Sequence, residues 1–395
     1  MDFELTSEQQ LLSDTIQRFV AQEYDFQRRR EIMRSPDGWS REVWSKLGQM
    51  GLLGLQISEA HGGMGISPIE TMVTMNAVGR GLMLEPYLSS AVLGTGLIRE
   101  LGSASQQKAH LPALAAGERI AVPAHFEEGA RYQLERVSTS AVRTSHGYTL
   151  QGRKAIVPHA AAADLLIVSA RTSGAESDPA GISLFLVERA APGVTVDSYS
   201  TLDGQRAADV TLREVRVPRE SLLGPEGGAF DALSAIWDVG IAALTAEAVG
   251  ALQAAFDATV EYAKTRKQFG VPIGTFQALQ HRMVDMLIQV EQAKSMSYLA
   301  AIRCMDPNAA ARRRAISAAK VLVGEACRRV GQEAVQLHGG IGMTDEYKVS
   351  HYFKRLAAIE ISFGDTQHHL ERFTQLPDPE ASRRSYEPSE LLDPR

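Results

Sequence analysis

Hydrophobic positions near the start of the chain recur at the three-to-four-residue spacing of a helix with one buried face. Leu12 and Ile16 belong to this pattern. Thr6 precedes the pattern, and Gln9 follows three residues later, which is the signature of a capping box at a helix start. Similar spacing continues to about residue 118, and it predicts an N-terminal helical domain over 1–118.

The pattern changes over 119–226. Short segments rich in β-branched and other apolar residues, such as 164–168 and 182–187, are separated by turn signals that include Pro192-Gly193 and Asp203-Gly204. Short strands without intervening helices are typical of an antiparallel barrel or sandwich rather than of a doubly wound sheet. We therefore predict a middle antiparallel β-barrel domain.

The helical period returns near Phe230 and predicts a C-terminal four-helix bundle over 227–376. The tail over 377–395 is polar and contains proline, so we expect an extended arm. The fold class is α+β and mainly α. The four predicted helices span about 230–266, 275–304, 308–338 and 345–374.

Composition and charge argue against a nucleic-acid-binding protein. The chain has 395 residues, 44% of them hydrophobic, and a formal net charge of −6, so no basic field points to nucleic acid. The short runs Arg28–Arg30 and Arg312–Arg314 are interpreted as solvated helix faces. Cys304 and Cys327 lack metal spacing and are expected to be reduced, packed thiols.

The N-terminus has no secretory signal pattern. We find no apolar run that approaches the length of a membrane span and expect no membrane association. These expectations place the protein in the cytoplasm.

Glu247 is the first candidate for chemistry, because it lies in an almost wholly apolar stretch, 241–252. Poor hydration raises the proton affinity of a carboxylate and suits a general base. A structural acid paired with an arginine or lysine of another helix explains the same pattern equally well.

Three further motifs carry polar groups or glycines at helix ends. Arg266, Gln268 and Phe269 could bind a phosphate and a flat ring, although a cationic helix C-terminus is the default explanation. The loop at Gln336, Gly339 and Gly340 follows a helix rather than a strand, so it is not a dinucleotide-binding glycine loop. The third motif is Asp365-Thr366-Gln367-His368-His369, which is typical of a helix start, and we predict no metal site.

Together and in order, these features resemble the acyl-CoA dehydrogenase superfamily over nearly the whole chain. The resemblance is strongest from Glu247 to His369. It is closest to the small subunit of pimeloyl-CoA-dehydrogenase-type enzymes and to subunits of heteromeric bacterial acyl-CoA dehydrogenases. The supporting stretches are 84–90, 203–208, 245–251 and 363–370.

The resemblance implies FAD as cofactor, an acyl-CoA substrate of medium-chain or dicarboxylyl type, and an electron-transferring flavoprotein as partner. It also implies a homotetramer, or a heterotetramer with a larger homologous subunit. Glu247 would be the catalytic base. The FAD-binding positions would be Arg266, Gln268 and Phe269, then Gln336, Gly339 and Gly340, usually against the flavin of a neighbouring subunit, and Asp365, Thr366 and Gln367.

The sequence departs from the family pattern at three places. Phe363 stands where the commonest family base is a glutamate, and phenylalanine cannot take a proton. Residues 122–130 replace a Thr-Glu-Pro and Gly-Ser signature, and 156–159 replace a tryptophan–threonine pair beside the flavin. The residues near the expected acyl tail do not indicate a chain length. Arg80 is a candidate to bind a terminal carboxylate of the substrate, or it is simply a surface arginine.

Two alternatives therefore stay open beside a catalytic subunit. The chain could be a non-catalytic subunit that completes the FAD site of a partner through Arg266 and Gln336. It could also carry another flavin chemistry, such as that of a desulfinase or monooxygenase, on the same fold.

Overall fold

The computed structural model describes residues 5–65 and 68–377, so the predicted tail lies outside the described residues apart from Pro377. The described residues up to 118 form the predicted helices. The side chain of Thr6 accepts a hydrogen bond from the Gln9 backbone and the Gln9 side chain accepts one from Thr6, which confirms the capping box. The helices are α1 (Ser7–Glu23), α2 (Phe26–Arg34), α3 (Arg41–Gln49), α4 (Pro68–Gly81), α5 (Thr95–Leu101) and α6 (Ala104–Ala115), with a π-helical segment at Tyr87–Gly94.

The middle of the chain is a β domain, as predicted. Its strands are β1 (Ala121–Ala124), β2 (Ser140–Arg143), β3 (Gly147–Pro158), β4 (Leu165–Arg171), β5 (Ile182–Glu188), β6 (Val194–Ser200), β7 (Arg206–Pro218) and β8 (Leu222–Leu223).

The sheet has the order β6-β7-β3-β2-β4-β5-β8, and β1 also pairs with β4. Most pairs are antiparallel, but β1 and β2 run parallel to β4. Among the described strands, β6 and β8 lie at opposite ends of this path and are not paired with each other. A bulge between Lys154 and Val157 interrupts the β3–β7 ladder and turns Ile156 out of the sheet with a φ of 52°.

The C-terminal region is a helical bundle in which the fourth predicted helix is two helices. The prediction of one helix over 345–374 is wrong, because Phe363 and Gly364 both have positive φ, 59° and 112°. Asp365 then caps a new helix by accepting from the His368 backbone. The elements are α7 (Phe230–Thr265), the hairpin β9 (Lys267–Gln268) and β10 (Val271–Pro272), α8 (Gln277–Arg303), α9 (Ala309–His338), α10 (Lys348–Ile361) and α11 (Thr366–Gln375).

Helix α7 is the central element of the bundle. It is long and apolar enough to cross a membrane, which corrects the expectation that no stretch reaches that length. However, 89% of its most apolar stretch is buried against the rest of the protein. A helix that is apolar on all sides is what the middle of a bundle requires.

Two arginines predicted to be solvated are buried instead. Arg29 is 1% exposed and donates to the carbonyl oxygens of Leu82 and Asp203. Arg312 is 8% exposed and pairs with Asp238 at 3.0 Å. Their partners come from distant parts of the chain, so the local charge run gave no sign of burial. Both cysteines are buried and free, as expected.

Candidate active site

Glu247 lies on α7 where this helix contacts the backbone of α4. It is 2% exposed. A Cβ at Gly79 would overlap the carbonyl oxygen of Glu247, and one at Gly250 would overlap the carbonyl oxygen of Asn76. The small residues around Glu247 therefore allow the two helices to touch, and this contact fixes the backbone that carries the carboxylate.

The Glu247 carboxylate is paired with Arg355 of α10. Arg355 Nε donates to Glu247 Oε1 at 2.6 Å, and Arg355 Nη1 donates to Asp203 Oδ2 at 2.8 Å. Burial alone would lower the pKa of Arg355, but the two carboxylates outweigh it and raise this pKa above its ordinary value. The paired structural acid considered from the sequence is thus present. Pairing keeps the carboxylate in place.

A cavity of about 360 Å³ opens beside Glu247. In the described part of the chain, Glu247 Oε2 has no hydrogen-bond partner, while the residue lines this cavity. The opposite walls are mostly apolar. They include Met75, Val78, Met83, Leu88, Leu93 and Leu244.

A second cavity, of about 560 Å³, lies between the β domain and the bundle. It is lined by Phe126 and Trp237, whose rings pack edge-on at 5.7 Å. Phe363 packs on Trp237 at 5.6 Å and lines both cavities, as does Ile156 from the β3 bulge. The two cavities therefore share a wall at Phe363, and Glu247 lies on one side of it.

Lys320 of α9 holds the turn that carries Phe363. Its buried ammonium donates to the carbonyl oxygens of Ile359, Glu360 and Gly364. Burial lowers the pKa of Lys320 to about 8. His369, predicted to bind no metal, is buried with its ring against the Phe363 carbonyl oxygen at 3.0 Å. The left-handed backbone at Phe363 is thus fixed by contacts from two helices.

Asp365, Thr366 and Gln367 lie beside these cavities. Asp365 and Gln367 line a polar cavity of about 450 Å³ that also contains Arg131. Arg131 donates to Asp365 at 3.3 Å and lines the second cavity too, so the two cavities are adjacent. The Thr366 hydroxyl donates to the Glu360 carboxylate at 2.9 Å.

The other predicted cofactor residues lie elsewhere. Arg266 follows Glu247 by 19 residues at the end of α7, about 28 Å along the helix axis. Arg266, Gln268 and Phe269 are exposed, Phe269 by 91%. Gln336, Gly339 and Gly340 are exposed as well, and a Cβ at either glycine would meet nothing within 4 Å. The structure does not bring these six residues to Glu247.

Sequence reasoning missed Arg355, Asp203 and Glu85, which all line the cavity beside Glu247. A signal existed for Arg355, because it lies within one helical turn of buried Tyr352 and Leu356. No comparable signal marks Asp203, which lies in the turn between β6 and β7.

Glu85 makes stability depend on pH. It is 3% exposed, and burial raises its pKa to about 7. Between about pH 4.5 and 7 the folded chain therefore keeps a proton that the unfolded chain releases. The contribution of Glu85 to the free energy of unfolding is full below pH 4.5 and decreases as pH rises through 7, by about 3 kcal/mol in all.

We expect urea denaturation to show this as a difference between the protein and its Glu85→Gln variant. The free energy of unfolding of the variant, relative to the unchanged protein, should rise from pH 5 to pH 8. Parallel curves over that range would contradict the assignment.

Comparison with protein families identifies the fold. Three family models match in chain order: the acyl-CoA dehydrogenase N-terminal domain at residues 6–118, the middle domain at 124–216 and the C-terminal domain at 231–375. The chain belongs to the acyl-CoA dehydrogenase family. Its members are enzymes that act on the CH–CH bond of acyl-CoA thioesters and use FAD.

Individual relatives cover almost the whole length of this acyl-CoA dehydrogenase. It is 31% identical to the probable acyl-CoA dehydrogenase YngJ of Bacillus subtilis, over 93% of this chain and 97% of the relative. The ChsE4-ChsE5 complex of Mycobacterium tuberculosis matches with a TM-score of 0.85 and 28% identity, over 96% and 100%. PigA with FAD and proline matches with a TM-score of 0.87 and 26% identity, over 95% and 98%.

The cavity between the β domain and the bundle fits FAD. Its aromatic walls suit a flat ring, and the adjacent polar cavity at Arg131 suits a phosphate-bearing end. The indole N–H of Trp237 is buried without a hydrogen-bond partner among the described residues, while Trp237 lines this cavity. A carbonyl group of a bound ring would satisfy such a donor.

Proposed function

We propose that this acyl-CoA dehydrogenase removes hydrogen from the α and β carbons of an acyl-CoA thioester, with Glu247 as the base for the α-proton. The observation that carries the proposal is the position of Glu247. Its carboxylate lines an apolar cavity that shares a wall, at Phe363, with the aromatic-lined cavity that suits the flavin ring. A thioester whose α-carbon faces Glu247 would place its β-carbon toward that shared wall. FAD, when bound, supplies a hydride acceptor at N5.

The chain's own residues hold the substrate and move the proton. The apolar walls around Met75, Leu88 and Leu244 would exclude water from the acyl group. Glu247 Oε2 is the free atom that would take the α-proton, and Arg355 stabilises the carboxylate before the transfer. Phe363 has no proton-accepting atom, so the position of the commonest family base cannot supply the base in this chain.

The proposed substrate is a medium-chain or dicarboxylyl thioester. Arg80 does not face this cavity: it lines a separate polar cavity with Asn76 and Gln253, and it pairs with Asp257 at 3.0 Å. A terminal carboxylate would instead meet Arg206 or Lys354, which line the cavity of Glu247.

We further propose that electrons pass to an electron-transferring flavoprotein and that the protein is cytoplasmic. The assembly would be a homotetramer or a heterotetramer with a larger homologous subunit. Arg266, Phe269 and Gly339 are exposed, which supports a role in binding the FAD of a neighbouring subunit. The similarity to the ChsE4-ChsE5 complex is compatible with an assembly of unlike subunits.

The same exposure favours a second candidate function, a non-catalytic subunit that completes a partner's FAD site.

A visible absorption spectrum of the purified chain tests the proposal. A flavin spectrum that bleaches on addition of a medium-chain acyl-CoA is expected if the chain binds FAD and carries out the reaction. A colourless chain that acquires flavin and activity only with a larger homologous subunit would favour the second candidate. A flavin spectrum that no acyl-CoA bleaches, with or without such a subunit, would favour another flavin chemistry.

Arg266→Ala is expected to weaken FAD retention in the assembled protein. The guanidinium is exposed at the C-terminus of α7, and a bidentate contact to a phosphate contributes about 1.5–3 kcal/mol, so the dissociation constant for FAD should rise at least about 10-fold. Flavin absorbance after gel filtration measures this. Lys264→Ala, on the last turn of the same helix, is the matched control. Unchanged flavin content in Arg266→Ala would show that Arg266 does not bind FAD and has a structural role only.

A further inference from the structure

Arg355 contacts the Glu247 carboxylate through a single hydrogen bond. A guanidinium facing a carboxylate commonly forms two parallel bonds, one to each oxygen. Here Nε donates to Oε1 at 2.6 Å, but Nη2, the atom beside Nε that would complete the fork, has no hydrogen bond to Oε2 among the described residues. Nη1, which points away from the Nε–Nη2 edge, donates to Asp203. Glu247 Oε2 is therefore left for the cavity. The group that anchors Nη1 sets the orientation of the guanidinium, and this orientation decides whether Nη2 reaches the second carboxylate oxygen.

Asp203 is itself firmly held. The Thr201 hydroxyl and the Gln205 backbone N–H donate to its Oδ1, which leaves Oδ2 for Arg355. Arg29 donates to its backbone carbonyl oxygen at 3.0 Å. Burial opposes ionisation of Asp203, but Arg355 and these hydrogen bonds lower its pKa below the ordinary value. An ionised and rigid carboxylate thus stands on the far side of Arg355 from Glu247.

We infer that Asp203 is a positioning residue for the base: it holds the Arg355 guanidinium in an orientation that occupies one Glu247 oxygen and leaves the other free. The inference rests on the proposed role of Glu247. Asp203 also lines the cavity of Glu247, but this role needs no contact between Asp203 and the acyl group or the flavin. It acts through Arg355 of α10. Arg355 pairs with Glu247 of α7 and with Asp203, which lies in the turn between β6 and β7.

Removing the charge of Asp203 frees Arg355 to close on Glu247. An asparagine at this position still fits the turn but no longer attracts the guanidinium strongly. Arg355 would then form a forked pair with both oxygens of Glu247, the remaining partner for its charge. The α-proton would lose its acceptor atom, while the apolar walls that bind the acyl group would be unchanged. The variant should therefore lose proton transfer while it still binds the acyl group.

The experiment measures proton transfer without oxidation. The FAD-loaded protein is incubated in D₂O with an acyl-CoA analogue whose β-carbon is replaced by sulfur, so that it can exchange its α-protons but has no β-hydride to give. Asp203→Asn should lower the exchange rate about 10- to 100-fold and change the dissociation constant of the analogue less than about 3-fold. Asp257→Asn, which removes an exposed acid paired with Arg80 on the same helix as Glu247, is the matched control and should exchange at the normal rate.

A second substitution distinguishes positioning from mere structural support. In the double variant Asp203→Asn with Arg355→Gln no fork can form, so exchange should recover at least about 5-fold relative to Asp203→Asn alone. A slower double variant would overturn the inference. If Asp203→Asn does not fold, Arg355→Lys serves instead: lysine has no fork, so exchange should stay within about 10-fold of normal, and loss to the level of Glu247→Gln would overturn the inference.

Failure of the inference and failure of the proposed function give different results. Normal exchange in Asp203→Asn together with abolished exchange in Glu247→Gln would reject only the role of Asp203. Exchange that persists in Glu247→Gln would reject Glu247 as the base, and with it the role given to Asp203.

Discussion

Replacing Glu247 with glutamine is expected to abolish dehydrogenation while the protein keeps its fold and its FAD. A glutamine has nearly the same shape and can still accept the hydrogen bond from Arg355 Nε, but it cannot take a proton. Loss of a positioned general base costs about 10²- to 10⁴-fold, and here no second carboxylate at position 363 can replace it. Steady-state turnover of a medium-chain acyl-CoA, with flavin content and circular dichroism measured in parallel, checks the prediction.

The position of Phe363 offers a rescue experiment. Because Phe363 lines the same cavity as Glu247, a glutamate there would present a carboxylate to the same space. The double variant Glu247→Gln with Phe363→Glu should therefore regain at least about 10-fold of the activity lost in Glu247→Gln. Asp257→Asn serves as the control for loss of an acid on α7. Turnover of the single variant Glu247→Gln near the normal rate would show that the base lies elsewhere.

The fold could be predicted where periodicity carries the information. The helical spacing of the N-terminal region, the capping box at Thr6 and the alternation to short strands after residue 118 are local features, and the structure confirms them. The break after Ile361 was missed for a physical reason. It depends on a left-handed backbone at Phe363 that contacts from Lys320 and His369 stabilise, and neither contact is visible in the local pattern.

The candidate site was predictable only in part. An isolated acid in an apolar stretch marked Glu247, and its burial follows from that stretch. The burial of Arg355 had a local signal, but its pairing with Glu247 could not be predicted, because Arg355 is 108 residues away and Asp203 joins from a turn of the β domain. The buried Arg29 shows the same limit, since its partners at Leu82 and Asp203 come from two other regions. Pairing of charges across domains is decided by the tertiary fold.

A buried acid holds three helices of the bundle together. Asp238 of α7 is 1% exposed and accepts from Arg312 of α9 and from Arg372 of α11, each at 3.0 Å. Both carboxylate oxygens are used, so each arginine has its own acceptor. Since α11 follows directly after the turn at Phe363, this cluster also fixes the end of the segment that separates the two cavities.

Asp238→Asn is expected to lower the free energy of unfolding by about 3–5 kcal/mol, because it leaves the buried Arg312 guanidinium without a counter-charge. The amide keeps the size of the side chain, so the loss measures charge rather than a cavity. Urea denaturation of the FAD-loaded protein gives the value. Asp285→Asn is the matched control: its pair with Arg329 spans 3.5 Å with both side chains 56% exposed, and such surface pairs contribute about 0–1 kcal/mol. Equal losses in the two variants would mean that the three-helix cluster stabilises the bundle no more than a surface ion pair, and that α11 is held by its apolar contacts instead.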